Sequence, residues 1–485
     1  TIMRSAAQLR LEKLDYSELG DSEKAVADRG TWKLKVSLAV MFFTVLCFVT
    51  GCIPLPAVAF CIGLVLVFTG VVSRDEVAAL YWSDACWFIM GSLMFAAAFV
   101  KTGVDKRICF FLFSKLASPS VAAITFVLIL VIAPCASFIS DHALAAIFLP
   151  IAIILHRGSQ VDGRPLDMEL GKMLVITVAM ACNIGGFGAP SGGVRNVIMM
   201  TYLNDMFGID IGYFTWVSYA MPFVLIMMPI TWLTLQWRFK PRTRDLSPAM
   251  AYLREDIKEM GKWDRSQVIT LVIFLVMIWF WFTEKSFYNM GIYPVRLGIG
   301  VVAVAGAVAY IIAGVVNWRD YQEKVDWGVV WLYAGAIIFG NTLDQTGAAY
   351  YLARSAVDAA AQVGIDSGLA LMGLAGVLTS SLTQLMADGP AAAAVGPISL
   401  NIAGITSPGT TMLPFTSMAT AAASSFAYCL VIGTPPNAIV YASGYLEPKD
   451  YLRVGIPLWF AANIVLFLLM AFYWTARGFA GLPSF

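Results

Sequence analysis

Two stretches far apart in this chain set an aspartate into apolar sequence in the same way: SDHALAAIFLPI, from Ser140 to Ile151, and ADGPAAAAVGPI, from Ala387 to Ile398. The step from Asp141 to Pro150 equals that from Asp388 to Pro397, at an offset of 247 residues. Upstream, GSLMFAAAFVKTG (Gly91 to Gly103) matches GAIIFGNTLDQTG (Gly335 to Gly347) at offset 244, and downstream GGVRNVI (Gly192 to Ile198) matches GTPPNAI (Gly433 to Ile439) at offset 241. Three blocks matched in one order mean a duplicated half. In an apolar chain, two halves that interrupt hydrophobic helices at corresponding positions point to the binding site of a secondary transporter.

Composition sets the class. The chain is 59% hydrophobic and 13% charged, whereas about 25% of residues are charged in soluble domains; this is a polytopic membrane protein. A net charge of +1 excludes a nucleic-acid partner, which would need clustered excess base. The eight cysteines (Cys47, Cys52, Cys61, Cys86, Cys109, Cys135, Cys182 and Cys429) have neither CxxC spacing nor a histidine-rich ligand set, which predicts free thiols.

Residues 1–33 are polar, alternate in charge and carry no signal-peptide pattern, so they read as an interfacial arm. The first repeat, 34–237, opens with spans at 34–52, 53–72 and 81–100, each near the roughly 20 residues a crossing helix needs. A short amphipathic piece follows from Asp105 to Ser118. Residues 121–156 are too long for one helix and contain Pro134 and the polar Ser140, Asp141 and His142. That predicts a re-entrant hairpin tipped at those three residues, with its tip backbone buried in protein or lining a wet cavity. A helix over 172–204 is broken at 185–193, and a span at 213–237 closes the half. Beyond a basic linker, 238–265, the second repeat, 266–476, has spans at 266–282, 293–316 and 327–343 and a hairpin at 368–405 tipped at Ala387, Asp388 and Gly389. A helix broken at Gly433 to Pro436 and a last span at 453–476 precede a tail, 477–485. The fold class is an all-α polytopic membrane protein of two repeats. Five crossings per half, an odd number, insert the repeats in opposite orientations.

Basic residues test the orientation. With the 238–265 loop cytoplasmic, the loops on its side hold 19 Lys and Arg, and the opposite loops hold only Arg74, Lys285, Arg296 and Arg354. Both termini then lie outside, against which stand seven basic residues among the first 35.

A carboxylate at the centre of a membrane helix costs roughly 2.5 to 3.5 kcal/mol, so Asp141 and Asp388 need a cation, a proton or a donor. Each either caps the second helix of its hairpin or belongs to one of two matching oxygen-lined pockets for Na⁺ or H⁺. Ser140 and the backbone carbonyls around Gly192 and Gly433 would complete such pockets, while helix N-termini face an anionic substrate. His142, at a hairpin tip, is suited to hold an anion when protonated or to pass a proton to Asp141. His156, at the polar end of its helix, reads as structural. Arg195, inside the first break, is either a clamp on the substrate anion or the partner of a buried aspartate, since it pairs oxyanions bidentately in both roles.

The run GTPPNAIVYASGYLEPKDYLRVGIPLWF (Gly433 to Phe460), with the block from Pro56 to Arg107 that includes GSLMFAAAFVKTGVDKR, resembles the divalent anion/sodium symporter family of di- and tricarboxylate and sulfate transporters. The resemblance extends from about residue 34 to 476. It implies a homodimer in a bacterial plasma membrane, with a scaffold domain and an elevator-like transport domain that carries both hairpins and both broken helices. It also implies hairpin tips reading Ser-Asn-Thr, in which Ser and Asn serve sodium while Asn and Thr serve the substrate carboxylates. Here the tips read Ser140-Asp141-His142 and Ala387-Asp388-Gly389, and the first break reads Gly192-Gly193-Val194-Arg195-Asn196. Two carboxylates near the site repel a dianion unless cations or protons sit with them.

The chain is therefore expected to be a secondary transporter and not an enzyme. Its expected substrate is a small divalent anion of the dicarboxylate, tricarboxylate, sulfate or sulfonate class, coupled to Na⁺ or H⁺, with no cofactor expected other than Na⁺. An uncoupled exchanger of the same fold is the alternative, in which the aspartates are neutralised internally. A channel or receptor-like binding protein is another reading. An intramembrane aspartyl enzyme is the last, although the Tyr-Asp and Gly-x-Gly-Asp contexts of such proteases are absent. Expected substrate contacts are Asp141, His142, Gly193, Val194, Arg195, Asn196, Asp388, Gly389, Thr434 and Pro435, helped by the N–H groups of Gly193, Gly389 and Thr434. Expected ion contacts are Ser140, Asp141, Gly192, Asp388 and Gly433.

Overall fold

The computed structural model describes residues 20–104, 107, 119–160, 166–250, 261–362, 364–365, 368–407 and 412–478. The first half contains α1 (Asp21–Thr50), α2 (Leu55–Phe68), α3 (Arg74–Tyr81), α4 (Asp84–Thr102), α5 (Val121–Phe138), α6 (Asp141–Arg157), α7 (Met168–Gly185), α8 (Val194–Phe207) and α9 (Tyr213–Arg238). The second contains α10 (Arg265–Asn289), α11 (Gly298–Ile312), α12 (Trp318–Lys324), α13 (Trp327–Gln345), α14 (Ala348–Gln362), α15 (Gly368–Leu385), α16 (Asp388–Thr406), α17 (Met412–Ser424), α18 (Pro435–Tyr441) and α19 (Pro448–Leu468). A π turn, Leu469–Trp474, extends α19. Among the described residues eight helical segments are long and apolar enough to cross a membrane, and α2 and α11 are shorter apolar helices.

Element boundaries carry the sequence repeat. Helix α15 starts and ends 247 residues after α5, α13 does so 243 residues after α4, and the single 3₁₀ turns Pro190–Gly192 and Val431–Gly433 stand 241 apart. Helices α5, α7 and α13 are each capped by a polar side chain: Ser120 accepts from the amide of Ala123, Asp167 from Leu170 and Asp326 from Val329. The helices that begin inside the apolar body, α6, α8, α16 and α18, have no side-chain cap.

Several boundaries differ from the sequence reading. Helix α1 runs unbroken from Asp21, so the polar stretch up to residue 33 is continuous with the first span, while residues 1–19 lie outside the described residues. The span expected at 53–72 is a 14-residue helix between Pro54 and the Thr69–Gly70 turn. That expected at 293–316 starts only at Gly298, whose φ of +71° ends the preceding turn. Helix α14 was not expected, because it is alanine-rich and lacks a long apolar run. Its counterpart by offset, Asp105 to Ser118, lies almost wholly outside the described residues, as do most of the 477–485 tail and part of the 238–265 linker. The seven described cysteines are free thiols.

The halves interlock reciprocally. Helix α4 packs on α11 and α13 packs on α2; α8 lies on the hairpin arm α16, and α18 lies on the hairpin arm α6. The pairing extends to single residues: a Cβ at Gly91 would stand 2.6 Å from Cβ of Ala303, and one at Gly335 would stand 2.6 Å from Cα of Ala59. Gly335 follows Gly91, and Ala303 follows Ala59, by the same 244 residues. Contacts of i with j and of their counterparts with each other are what a twofold relation produces. This interlocking brings the two hairpin tips to face one another in the interior.

Candidate functional site

The two tips meet at one guanidinium. Asp141 and Asp388 are the first residues of α6 and α16, and Arg195 is the second of α8; all three are at most 2% exposed. Nη1 of Arg195 donates to Oδ2 of Asp388 and lies 3.5 Å from Oδ2 of Asp141. The Oδ1 atoms are also used alike, accepting from the next backbone amide: His142 at 2.8 Å and Gly389 at 2.7 Å. Helix-terminus bonding thus accounts for one oxygen of each aspartate and an ion pair for the other. Of the two roles open to Arg195, partner of a buried aspartate is the one its Nη1 performs, for both aspartates at once.

His142 completes the cluster, with Nδ1 2.5 Å from Oδ1 of Asp141 and 3.4 Å from the Ser140 hydroxyl. Its side chain is 24% exposed, so the buried charges reach the surrounding space through the imidazole. The four groups sum to −1 with a neutral imidazole and to zero with a protonated one.

Small residues hold the guanidinium in place. Nη2 of Arg195 occupies the space a Cβ on Gly186 would need, and a Cβ on Gly193 would stand 2.8 Å from Cζ. Nε and Nη2 are buried and have no hydrogen-bond partner among the described residues. These two donors form the parallel edge of a guanidinium that fits two oxygens of a carboxylate, sulfonate or sulfate. Tyr333, on α13, packs its hydroxyl against Gly389, within 2.8 Å of where a Cβ would stand.

The broken helices are tied off identically. Nδ2 of Asn196 donates to the carbonyls of Gly186 and Ala189, ten and seven residues upstream, at 2.8 and 2.7 Å. Nδ2 of Asn437 donates to Ala427 and Leu430, at the same spacings, at 2.7 and 2.9 Å. Gly192 and Gly433 lie against the carbonyls of Ala136 and Thr383, themselves 247 residues apart. The acceptor side differs. Oδ1 of Asn437 accepts from Asn183 at 3.0 Å, whereas Oδ1 of Asn196 is buried without a partner.

The structure therefore brings Asp141, His142, Arg195 and Asp388 together, with Ser140, Gly193 and Gly389 beside them. The Gly389 amide is occupied by Asp388. Val194 is half-buried at the start of α8. Among the described residues no hydrogen bond or ion pair links Gly433, Thr434 or Pro435 to the Arg195 cluster; the Thr434 hydroxyl donates instead to Oδ1 of Asn183 at 3.0 Å. His156 is structural, its Nε2 2.9 Å from the Asp167 carbonyl and its Nδ1 3.3 Å from the Tyr445 hydroxyl. Sequence reasoning missed Gly186, Asn183 and Tyr333. Gly186 stood in a glycine-rich run with no mark of its own, and Tyr333 is one of many aromatics in apolar spans.

Comparison with known proteins agrees with the fold and places the chain among transporters. The family described as the sodium:sulfate symporter transmembrane region matches residues 29–479. A sodium-dependent dicarboxylate transporter of Staphylococcus saprophyticus, SdcS, is 23% identical over 466 residues, covering 92% of this chain and 86% of its own. An uncharacterized transporter of Haemophilus influenzae is 25% identical over 453 residues, covering 91% and 92%. Among solved structures, the Alcanivorax borkumensis YdaH transporter, reported to have an unusual topology, superposes with a TM-score of 0.54 at 12% identity, covering 82% of this chain and 88% of that one.

Proposed function

The chain belongs to the sodium:sulfate symporter family and is a secondary transporter, not an enzyme, and from that premise we propose that it carries a small divalent anion bound between the two hairpin tips. The substrate is of the dicarboxylate, tricarboxylate, sulfate or sulfonate class. The observation that carries the reading is the unpaired Nε and Nη2 edge of Arg195, an oxyanion receptor buried where the tips meet. A buried donor without a partner costs about 1–3 kcal/mol, so these two donors gain from an oxyanion that reaches them. A protonated His142 adds the second positive group, and Asn196, Val194 and Gly193 shape the wall beside it. The second break, with Thr434 and Pro435, supports the opposite hairpin arm.

The hairpins α5–α6 and α15–α16 and the broken helices α7–α8 and α17–α18 pack on one another, which favours their moving as one elevator body against α1–α4 and α10–α13. The halves insert in opposite orientations, with the 238–265 loop cytoplasmic in a bacterial plasma membrane, and two copies form the working dimer. Substrate movement is coupled to Na⁺ or H⁺. One observation favours the exchanger as a second reading: Arg195 already neutralises charge on both aspartates.

Thermal unfolding of the purified protein tests the binding step. Succinate, citrate, sulfate or a sulfonate that binds the folded state raises stability by about 2.7 kcal/mol at 100 times its Kd. The shift falls in His142→Gln, and for non-titrating sulfate it falls as pH rises and the imidazole loses its charge. No stabilisation by any of these anions at any pH would remove the proposed substrate class.

A further inference from the structure

We propose that Arg195 is a tethered cation that takes the place of a coupling sodium ion at both hairpin tips, so that anion binding and translocation by this chain need no Na⁺. The inference rests on the tips being the anion site and deepens that reading by fixing how their charge is balanced.

The geometry that points to it is the common use of one nitrogen. Oδ2 of Asp141 and Oδ2 of Asp388 approach Nη1 of Arg195 from opposite hairpins, while each Oδ1 is held by the first amide of its own helix. A sodium ion bridging the two hairpins would compete for the same two Oδ2 atoms, since each Oδ1 already accepts from the first amide of its own helix. The guanidinium fills that position and is fixed there, because Gly186 and Gly193 leave room for its Nη2 and Cζ and for nothing larger on their own backbone. Its charge is permanent, since guanidinium does not lose its proton in proteins. Two carboxylates against one guanidinium leave one negative charge, which the His142 imidazole balances when protonated, again without a metal ion. Two of the relatives are described as sodium-dependent; here the positive charge at the tips is covalently part of α8. The arrangement also divides the labour of one side chain, with Nη1 serving the protein's own carboxylates and the Nε and Nη2 edge remaining for the substrate.

Sodium alone serves as the probe. In equilibrium binding of radioactive sodium to the full-length protein in detergent, wild type is expected to retain no saturable sodium, and Arg195→Gln is expected to gain a saturable site that is lost again on adding Asp388→Asn. Saturable sodium binding by wild type that disappears in Asp141→Asn or Asp388→Asn would overturn the proposal, as would a folded Arg195→Gln protein that takes up none. Should Arg195→Gln fail to fold, the decision rests on wild type in proteoliposomes. Its succinate or sulfate uptake is expected to be equal in sodium and in choline media, and a loss of about tenfold or more in choline, the scale of a strongly coupled ligand, overturns the proposal. Absence of uptake of any anion in both media, with no sodium bound, would instead count against the anion-carrier reading.

Discussion

Arg195 serves carboxylates from two different hairpins through one nitrogen, so losing it leaves Asp388 without its cation and Asp141 with His142 only. Removing one partner of a buried pair costs about 3–5 kcal/mol, whereas replacing the whole set by neutral groups is often close to neutral. Arg195→Gln is therefore expected to lower thermal stability steeply, and Arg195→Gln combined with Asp141→Asn and Asp388→Asn to recover most of the loss. A triple variant as unstable as the sum of its parts would mean that the three charges do not act as a unit. The two aspartates were legible in the sequence because a charge in an apolar run demands an explanation. For Arg195 the sequence offered pairing with a buried aspartate only as one of two alternatives, and that it serves both was not legible, since spacings of 54 and 193 residues along the chain do not say which side chains share a point in space. Nor was the cradle for Nη2 at Gly186, which depends on α8 returning to the turn that follows α7.

Each broken helix is a local problem in hydrogen bonding, solved by one asparagine. The amides of Asn196 and Asn437 each close two carbonyls left open by the break. Replacing either by alanine strands those acceptors, at about 1–3 kcal/mol for each buried group left unpaired. Asn437→Ala is expected to cost more than Asn196→Ala, because it also orphans the Asn183 amide, whereas Oδ1 of Asn196 has no partner to lose. Melting temperatures of the two variants check this, and equal losses would mean that the Asn183 contact contributes nothing. The hairpins and breaks could be read closely from sequence, because charge, proline and glycine interrupt otherwise uniform apolar runs; α6 and α16 start at the aspartates themselves. The short α2 and α11 and the amphipathic α14 were misread or missed, since runs of about 20 apolar residues do not mark helices of 14 or 15 residues or one whose apolar positions are mostly alanine.

In the whole molecule the repeat is expressed as exchange. Each half supplies the surface on which the other half's second span, hairpin and broken helix rest, down to the matched pairs Gly91 with Ala303 and Gly335 with Ala59. The offsets in the sequence announced two similar halves, but that they clasp each other is a property of the folded chain. The clasp sets one charged cluster, whose His142 side chain is partly exposed, among the hairpins and broken helices. Under the proposed function the carrier exposes that cluster to one side of the membrane at a time, and exchange of bound anion is then expected to be faster than net flux. The direct measurement is counterflow: proteoliposomes loaded with unlabelled succinate, or in parallel sulfate, are diluted into a trace of the labelled anion. Transient accumulation of label above its outside concentration, present in wild type and abolished in Asp388→Asn, is the expected result. Equilibration of label without overshoot would identify a channel, and no entry beyond that of protein-free liposomes for any anion of the class would contradict the assignment of the hairpin tips as an anion site.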